Sequence, residues 1–171
     1  MTAAPKLDRR ELTKDAKRFQ KIFTSPPLFR AALVAKVPLL LFTGARVDEL
    51  DLEHCQIHLP FGWINKNPFG SMYFASIMMC SEAVTGGLVM LHDENRDNDF
   101  VTIVKSISGD FDRAAYSDMT FVCDEGDKVD GLFERALDAT DRVEETLLVE
   151  GIDDDGEHCS TAEVTWSIRV K

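Results

Sequence analysis

The stretch NPFGSMYFASIMMCSEAVTGGLVML, from Asn67 to Leu91, contains a single charged side chain, Glu82. A run of this length could cross a bilayer as a helix. Glu82, four serines or threonines and Gly86-Gly87 interrupt it, however, and its flanks read as strands of a globular domain. A helix that is apolar on nearly all sides must be wrapped by something. The run therefore predicts a buried central helix, with no membrane span, and the remaining chain must supply its cover.

That cover is legible as alternation. In HCQIHLPF, Cys55, Ile57, Leu59 and Phe61 fall on one side and His54, Gln56 and His58 on the other. ARVDELDLE precedes it as a further strand candidate, and FVTIVKSISGDF and SDMTFVC follow the helix. EETLLVEGI and CSTAEVTWSIRVK flank the turn-rich DDDG; in the latter, Ala162, Val164, Trp166, Ile168 and Val170 alternate with polar residues. DKVDGLFERAL reads as a short helix, with Val129, Leu132, Phe133 and Leu137 on one face. Before these, Asp8–Phe23 has an amphipathic helical pattern through Leu12, Ala16, Phe19 and Phe23, broken by Ser25-Pro26-Pro27. A second helix is expected over Leu28–Val37, ended by Pro38. Six strands around one long helix predict an α+β fold, a mostly antiparallel sheet with the helix on its concave face. The expected organisation is an N-terminal helical extension over residues 1–43 and a main domain over 44–171.

Charge narrows the partners. Thirty acidic and 19 basic residues give a net charge of −11, a field that repels phosphate backbones and argues against nucleic acid as a partner. Cys55, Cys80, Cys123 and Cys159 include no C-x-x-C pair and read as reduced thiols in a cytoplasmic protein. MTAAPKLDRRELTK lacks the apolar segment of a secretory signal.

NPFGSMYFASIMMCSE resembles the loop-to-helix signature of the hotdog-fold thioesterase superfamily, specifically the phenylacetyl-CoA-type branch and its uncharacterised thioesterase-like relatives. That signature has the form N-x-x-G-[ST]-x-H-G-G, with an acid about two turns further along the helix. Asn67, Gly70, Ser71 and Glu82 match in type and spacing. Tyr73 stands at the histidine position, and Phe74-Ala75 replace Gly-Gly. The likeness in layout extends from Gly44 to Lys171.

The resemblance implies an antiparallel hotdog sheet wrapped around the central helix, and an acyl thioesterase acting on acyl-CoA or acyl carrier protein thioesters. No cofactor and no metal is implied. Glu82 would be general base or nucleophile, and Asn67 would orient the water or the carbonyl. The substrate would contact Gly70, Ser71, Tyr73, Phe74, Ala75 and Met78, its carbonyl oxygen received by the amides around Phe74 and Ala75. Such amides at a helix start lack internal partners and carry partial positive charge. A carboxylate among Met78, Met79, Ala83 and Val84 should lose solvation and titrate high, as a base near neutral pH requires. Glu82 follows Ala75 by seven residues, about 10 Å along the axis and on nearly the same face. One thioester is not easily reached by both from one chain. Hotdog sites lie between subunits, so a homodimer or homotetramer is expected, with Glu82 facing the partner's helix start.

Other roles fit the same residues. Glu82 could bond backbone amides, Ser76 or Ser81; Tyr73 could be plain core; Asn67 before Pro68 is also a common turn or cap. Tyr73-Phe74 in place of His-Gly would suit a catalytically silent hotdog that binds an acyl chain or a protein partner, and the missing helix histidine argues against an acyl dehydratase. His54 and His58 share a strand face from which Cys55 points away, a poor metal set. DDDGE is too short for a calcium loop. Lys105, Arg113 and Arg169 could grip phosphates of coenzyme A if they converged.

Overall fold

A computed structural model describes residues 11–171. Three helices come first: α1 (Lys14–Thr24), α2 (Pro26–Lys36) and α3 (Pro38–Thr43). Thr13 caps α1, its Oγ1 accepting from the Ala16 amide at 3.2 Å; residues 8–10 of the expected helix lie outside the described residues. Pro38 does more than end α2: it opens α3. A first-turn proline gives up only an N–H that has no helical partner there, and its fixed φ suits the helix. That short helix escapes a reading of Pro38 as a stop.

The strands are β1 (Arg46–Leu50), β2 (Cys55–Leu59), β3 (Phe100–Phe111), β4 (Met119–Cys123), β5 (Val143–Asp153) and β6 (His158–Val170). They form one antiparallel sheet in the order β1-β2-β4-β5-β6-β3. Between β2 and β3 run a single 3-10 turn at Trp63–Asn65 and the long helix α4 (Phe74–Glu94); α5 (Gly126–Asp138) joins β4 to β5.

By length and composition α4 could cross a membrane. Here it packs against the sheet, α1 and α5. Cys80, Val84, Leu88 and Leu91 are fully buried, and the core around them gathers Ile57, Leu59, Phe121, Leu147, Val164 and Ile168 from the sheet. Ala16, Phe29, Leu33 and Leu40 of the N-terminal helices join the same core. Inward positions of β2 and β6 follow the expected alternation, but two positions on the polar sides are buried as well: Ser167 of β6, and His58 of β2, whose Nε2 lies 2.9 Å from Asp118 Oδ2. At the far end of α4, His92 stacks on Phe133 of α5 while the Arg96 guanidinium sits 4.6 Å above that ring and pairs with Asp130. These contacts hold the helix from its C-terminal end and leave its N-terminal end at the surface.

Edge position sets β3 apart. It runs for 12 residues, pairs among the described residues with β6 alone, and exposes Ile103, Ile107 and Phe111. A long edge with unpaired backbone groups and apolar side chains invites another strand.

Candidate active site

The loop that delivers the chain to α4 is built by Asn67. Its Oδ1 accepts from the amides of Phe69 (2.9 Å) and Ser71 (3.2 Å); its Nδ2 donates to Ser71 Oγ (2.8 Å) and to the Met72 carbonyl (3.3 Å). Gly70 turns the loop at φ +90°, where a side chain would be strained. The side chain of Asn67 thus bonds within its own loop.

Tyr73 is the N-cap of α4 but gives no side-chain cap. Its amide donates to the Asn65 carbonyl at 2.7 Å, and its own carbonyl receives the first helical bonds, from Ser76 (2.9 Å) and Ile77 (3.2 Å). The amides of Phe74 and Ala75 precede those bonds and have no partner inside the helix. Phe74 stands beside them in an aromatic row, its ring 5.0 Å from Tyr73 and 6.1 Å from Phe111 at the end of β3.

A cavity of about 470 Å³ opens here, within the range of small-molecule pockets. Asn67, Ser71, Tyr73 and Phe74 line it, joined by Ile77, Phe111, Arg113 and Ala115. The structure therefore brings four of the residues expected at the site onto one wall. Gly70, Ala75, Met78 and Glu82 are not on it. Phe111 and Arg113 arrive from the end of β3, more than 35 residues downstream of the loop; only sheet pairing puts them there. Their sequence signal is faint: an aromatic and a cation closing an apolar strand.

Glu82 lies two turns below the helix start on the side of α4 that faces β3 and β6. Its neighbours at four-residue spacing mark that face. A β-carbon added to Gly109 of β3 would come 2.6 Å from Met78 Sδ, and one added to Gly86 would lie 3.6 Å from both Glu82 Oε1 and the Trp166 ring. Trp166 Nε1 donates to Thr85 Oγ1 at 3.0 Å, and that hydroxyl donates to the Glu82 carbonyl at 2.9 Å, which steadies the backbone under the acid. Sequence reading missed Thr85 and Trp166, since a hydroxyl and an indole 81 residues apart meet only across the helix–sheet interface.

No hydrogen bond or ion pair reaches the Glu82 carboxylate among the described residues. Ser81 Oγ turns back to the Ile77 carbonyl (3.0 Å) and Ser76 Oγ to Asn65 Oδ1 (3.3 Å), so neither serine holds the acid. Burial pushes its carboxyl above the ordinary carboxylate range. The three distal cations do not converge within the chain. Lys105 pairs with Glu144 (2.6 Å), Arg113 sits 3.3 Å from Glu157, and Arg169 lies opposite Val101 near the other end of β3.

An antiparallel sheet wrapped on one long core helix, whose start is presented at the surface, defines the hotdog class of proteins. Within it, the chain belongs to the family described as a domain of unknown function, DUF4442, whose model matches residues 26–168. No curated protein is significantly similar to it. Among solved structures it is similar to PA5026 of Pseudomonas aeruginosa, a protein of unknown function described as a probable thioesterase, with 19% identity, a TM-score of 0.73, and 94% of this chain and 99% of that one covered. A mutant of the thioesterase PA1618 from the same organism shares 15% identity at a TM-score of 0.64, over 94% and 98% of the two chains. A mutant of the Staphylococcus aureus thioesterase SAV0944 shares 14% at 0.60, over 78% and 99%. At these identities the likeness is one of fold.

Proposed function

We propose that the protein is an acyl thioesterase, hydrolysing acyl-CoA or acyl carrier protein thioesters in a homodimer joined along β3. The observation that carries this reading is Glu82: a desolvated acid without a hydrogen-bond or ion-pair partner among the described residues, on the core helix of a fold shared with described thioesterases. A carboxylate kept for structure is normally hydrogen-bonded or paired; one left unpartnered with a raised pKa fits a base working near neutral pH.

In this reading the thioester carbonyl oxygen sits at the Phe74 and Ala75 amides of one protomer. Glu82 of the partner subunit takes a proton from the attacking water. Negative charge on the tetrahedral intermediate falls at the positive end of α4. Collapse breaks the C–S bond, and the proton held by the acid returns to the departing thiolate. Asn67 acts by holding the loop that shapes the helix start, with Gly70 and Ser71 in the same loop; Tyr73, Phe74 and Met78 flank the acyl group. No metal or cofactor takes part. The exposed, unpaired edge of β3, with Ile103, Ile107 and Phe111, supports the dimer.

The aromatic row at the helix start favours a second reading, a silent hotdog that holds an acyl chain or a protein partner without turnover. Phe74 and Tyr73 narrow the approach to amides that glycines would leave open. A panel of acyl-CoA substrates assayed for free thiol separates the two. Release on at least one chain length, lost in Glu82→Gln, supports hydrolysis; tight acyl-CoA binding with no release on any supports the silent reading.

A further inference from the structure

The net charge of −11 conceals a sharp division along the chain. Residues 14–47 hold seven cations and one acid, Asp15, whereas residues 48–171 hold nine cations and 27 acids. The basic part is α1, α2, α3 and the start of β1, and it also carries apolar side chains in solvent. Val34 is exposed on α2 and Val37 at the junction between α2 and α3, and Leu39 and Phe42 stand one turn apart on the outer face of α3, Phe42 being 65% exposed. The turn before the α4 loop adds Trp63, 86% exposed, and the loop itself Phe69, 91% exposed. These pieces are tied together: Asn65 Nδ2 donates to the carbonyls of Thr43 and Pro60, both at 2.8 Å, fixing the Trp63 turn against the end of α3.

Arg30, Lys36 and Lys66 lie in the same segments, Lys66 over the Phe61 ring at 4.3 Å, and α1 packed beside α2 exposes Lys14, Lys17, Arg18 and Lys21. Arg46 is held by Asp48 at 2.8 Å and is already neutralised. No acid occurs from residue 16 to residue 47 or from 54 to 81. Aliphatic and aromatic side chains in water, surrounded by lysine and arginine, are the pattern of a face that lies in the headgroup region of an anionic bilayer. Acids farther than roughly 8 Å from the face are screened at physiological salt.

We infer that α2, α3 and the Trp63–Phe69 segment form a docking surface for an anionic phospholipid bilayer. A second copy of the chain suits this face less well, because a face-to-face contact would bring two surfaces rich in lysine and arginine, with no acid between residues 16 and 47, against each other. Phe69 also lines the cavity, at the border of the docking face. The inference does not rest on hydrolysis, since vesicle binding requires no turnover.

Flotation with phosphatidylglycerol-rich and with pure phosphatidylcholine vesicles tests it, read together with tryptophan emission. Trp63 is one of two tryptophans, and the other, Trp166, is buried. Expected are binding at least tenfold tighter to the anionic vesicles, a blue shift of the emission on binding, and weakening in 0.5 M salt (roughly a 4 Å screening length). Phe42→Ser and Trp63→Ser should abolish flotation. Arg30→Glu with Lys36→Glu should cut it by about tenfold or more. All four positions are exposed, so unchanged melting curves confirm that these variants fold. Absence of flotation, equal binding to neutral vesicles, or a concentration-dependent mass increase removed by the same substitutions would each overturn the inference, the last by seating a second copy on the face.

Discussion

Replacing Glu82 by glutamine separates catalysis from structure in one variant. Glutamine matches glutamate in size, and the carboxylate has no hydrogen bond or ion pair among the described residues to lose, so folding should not suffer. The direction of the titration goes further. Burial raises the folded-state pKa of Glu82 above its ordinary 4.5. A carboxyl raised on folding favours the folded state while protonated; that contribution is present in full below the unfolded value and is lost as pH rises through the folded value. Glutamine does not titrate. The melting temperature of the variant relative to wild type should therefore climb as pH increases from 4.5 through the folded value, then level off, with the variant equal or more stable at neutral pH. Activity should move the opposite way. A positioned general base contributes about 10²–10⁴ in rate, equivalent to about 2.7–5.5 kcal/mol of barrier. Thiol release from the best acyl-CoA, measured with melting curves from pH 4 to pH 8, reads both quantities. Equal rates in the two proteins would refute the catalytic role, and a variant several degrees less stable at neutral pH would show that the acid bonds something structural.

Complementation tests the shared site: mixing inactive Glu82→Gln with inactive Ala75→Trp and exchanging subunits should restore up to about a quarter of wild-type activity, since half of the dimers are mixed and each carries one intact site. No recovery despite exchange would place acid and amides in one chain. Asn67→Ala removes four side-chain hydrogen bonds; at about 0.5–1.5 kcal/mol each, discounted for their partial exposure, chemical denaturation should show a loss of about 1–3 kcal/mol, and a stability equal to wild type would mean the loop holds without it. Gly126→Ala would drive a β-carbon to 1.9 Å from the Leu52 carbonyl oxygen; a cooperative thermal unfolding transition close to wild type would contradict the close packing of α5 under the β1–β2 turn. Phe74→Gly should raise turnover of bulky acyl thioesters severalfold by clearing the helix start, and a fall in turnover would show that Phe74 holds the acyl group more than it obstructs the amides.

Much of the fold was legible because burial imposes a period on sequence. The alternation in CSTAEVTWSIRVK matches the burial of Ala162, Val164, Trp166 and Ile168 in β6, though Ser167 is buried too, and the apolar run with one acid is the core helix α4. Pro38 was legible only as punctuation: whether a proline ends one helix or begins the next depends on where the chain turns afterwards. Around the candidate site, the resemblance grouped Asn67, Ser71, Tyr73 and Phe74, which lie within eight residues of one another in a loop and a helix start. It could not place Phe111 and Arg113, which sheet pairing carries in, nor the hydroxyl–indole contact between Thr85 and Trp166.

From sequence alone, then, came most of the elements and the desolvation of Glu82, because hydrophobic periodicity and a lone charge in an apolar run are local properties. Tertiary structure decided what each polar atom bonds: Asn67 turned into its loop, Ser76 and Ser81 turned away from Glu82, and the carboxylate left unpartnered on the side of the helix that faces β3 and β6. Hydrogen-bond partners and cavity walls depend on how distant segments meet, and that meeting is set by the packing of the whole sheet around α4.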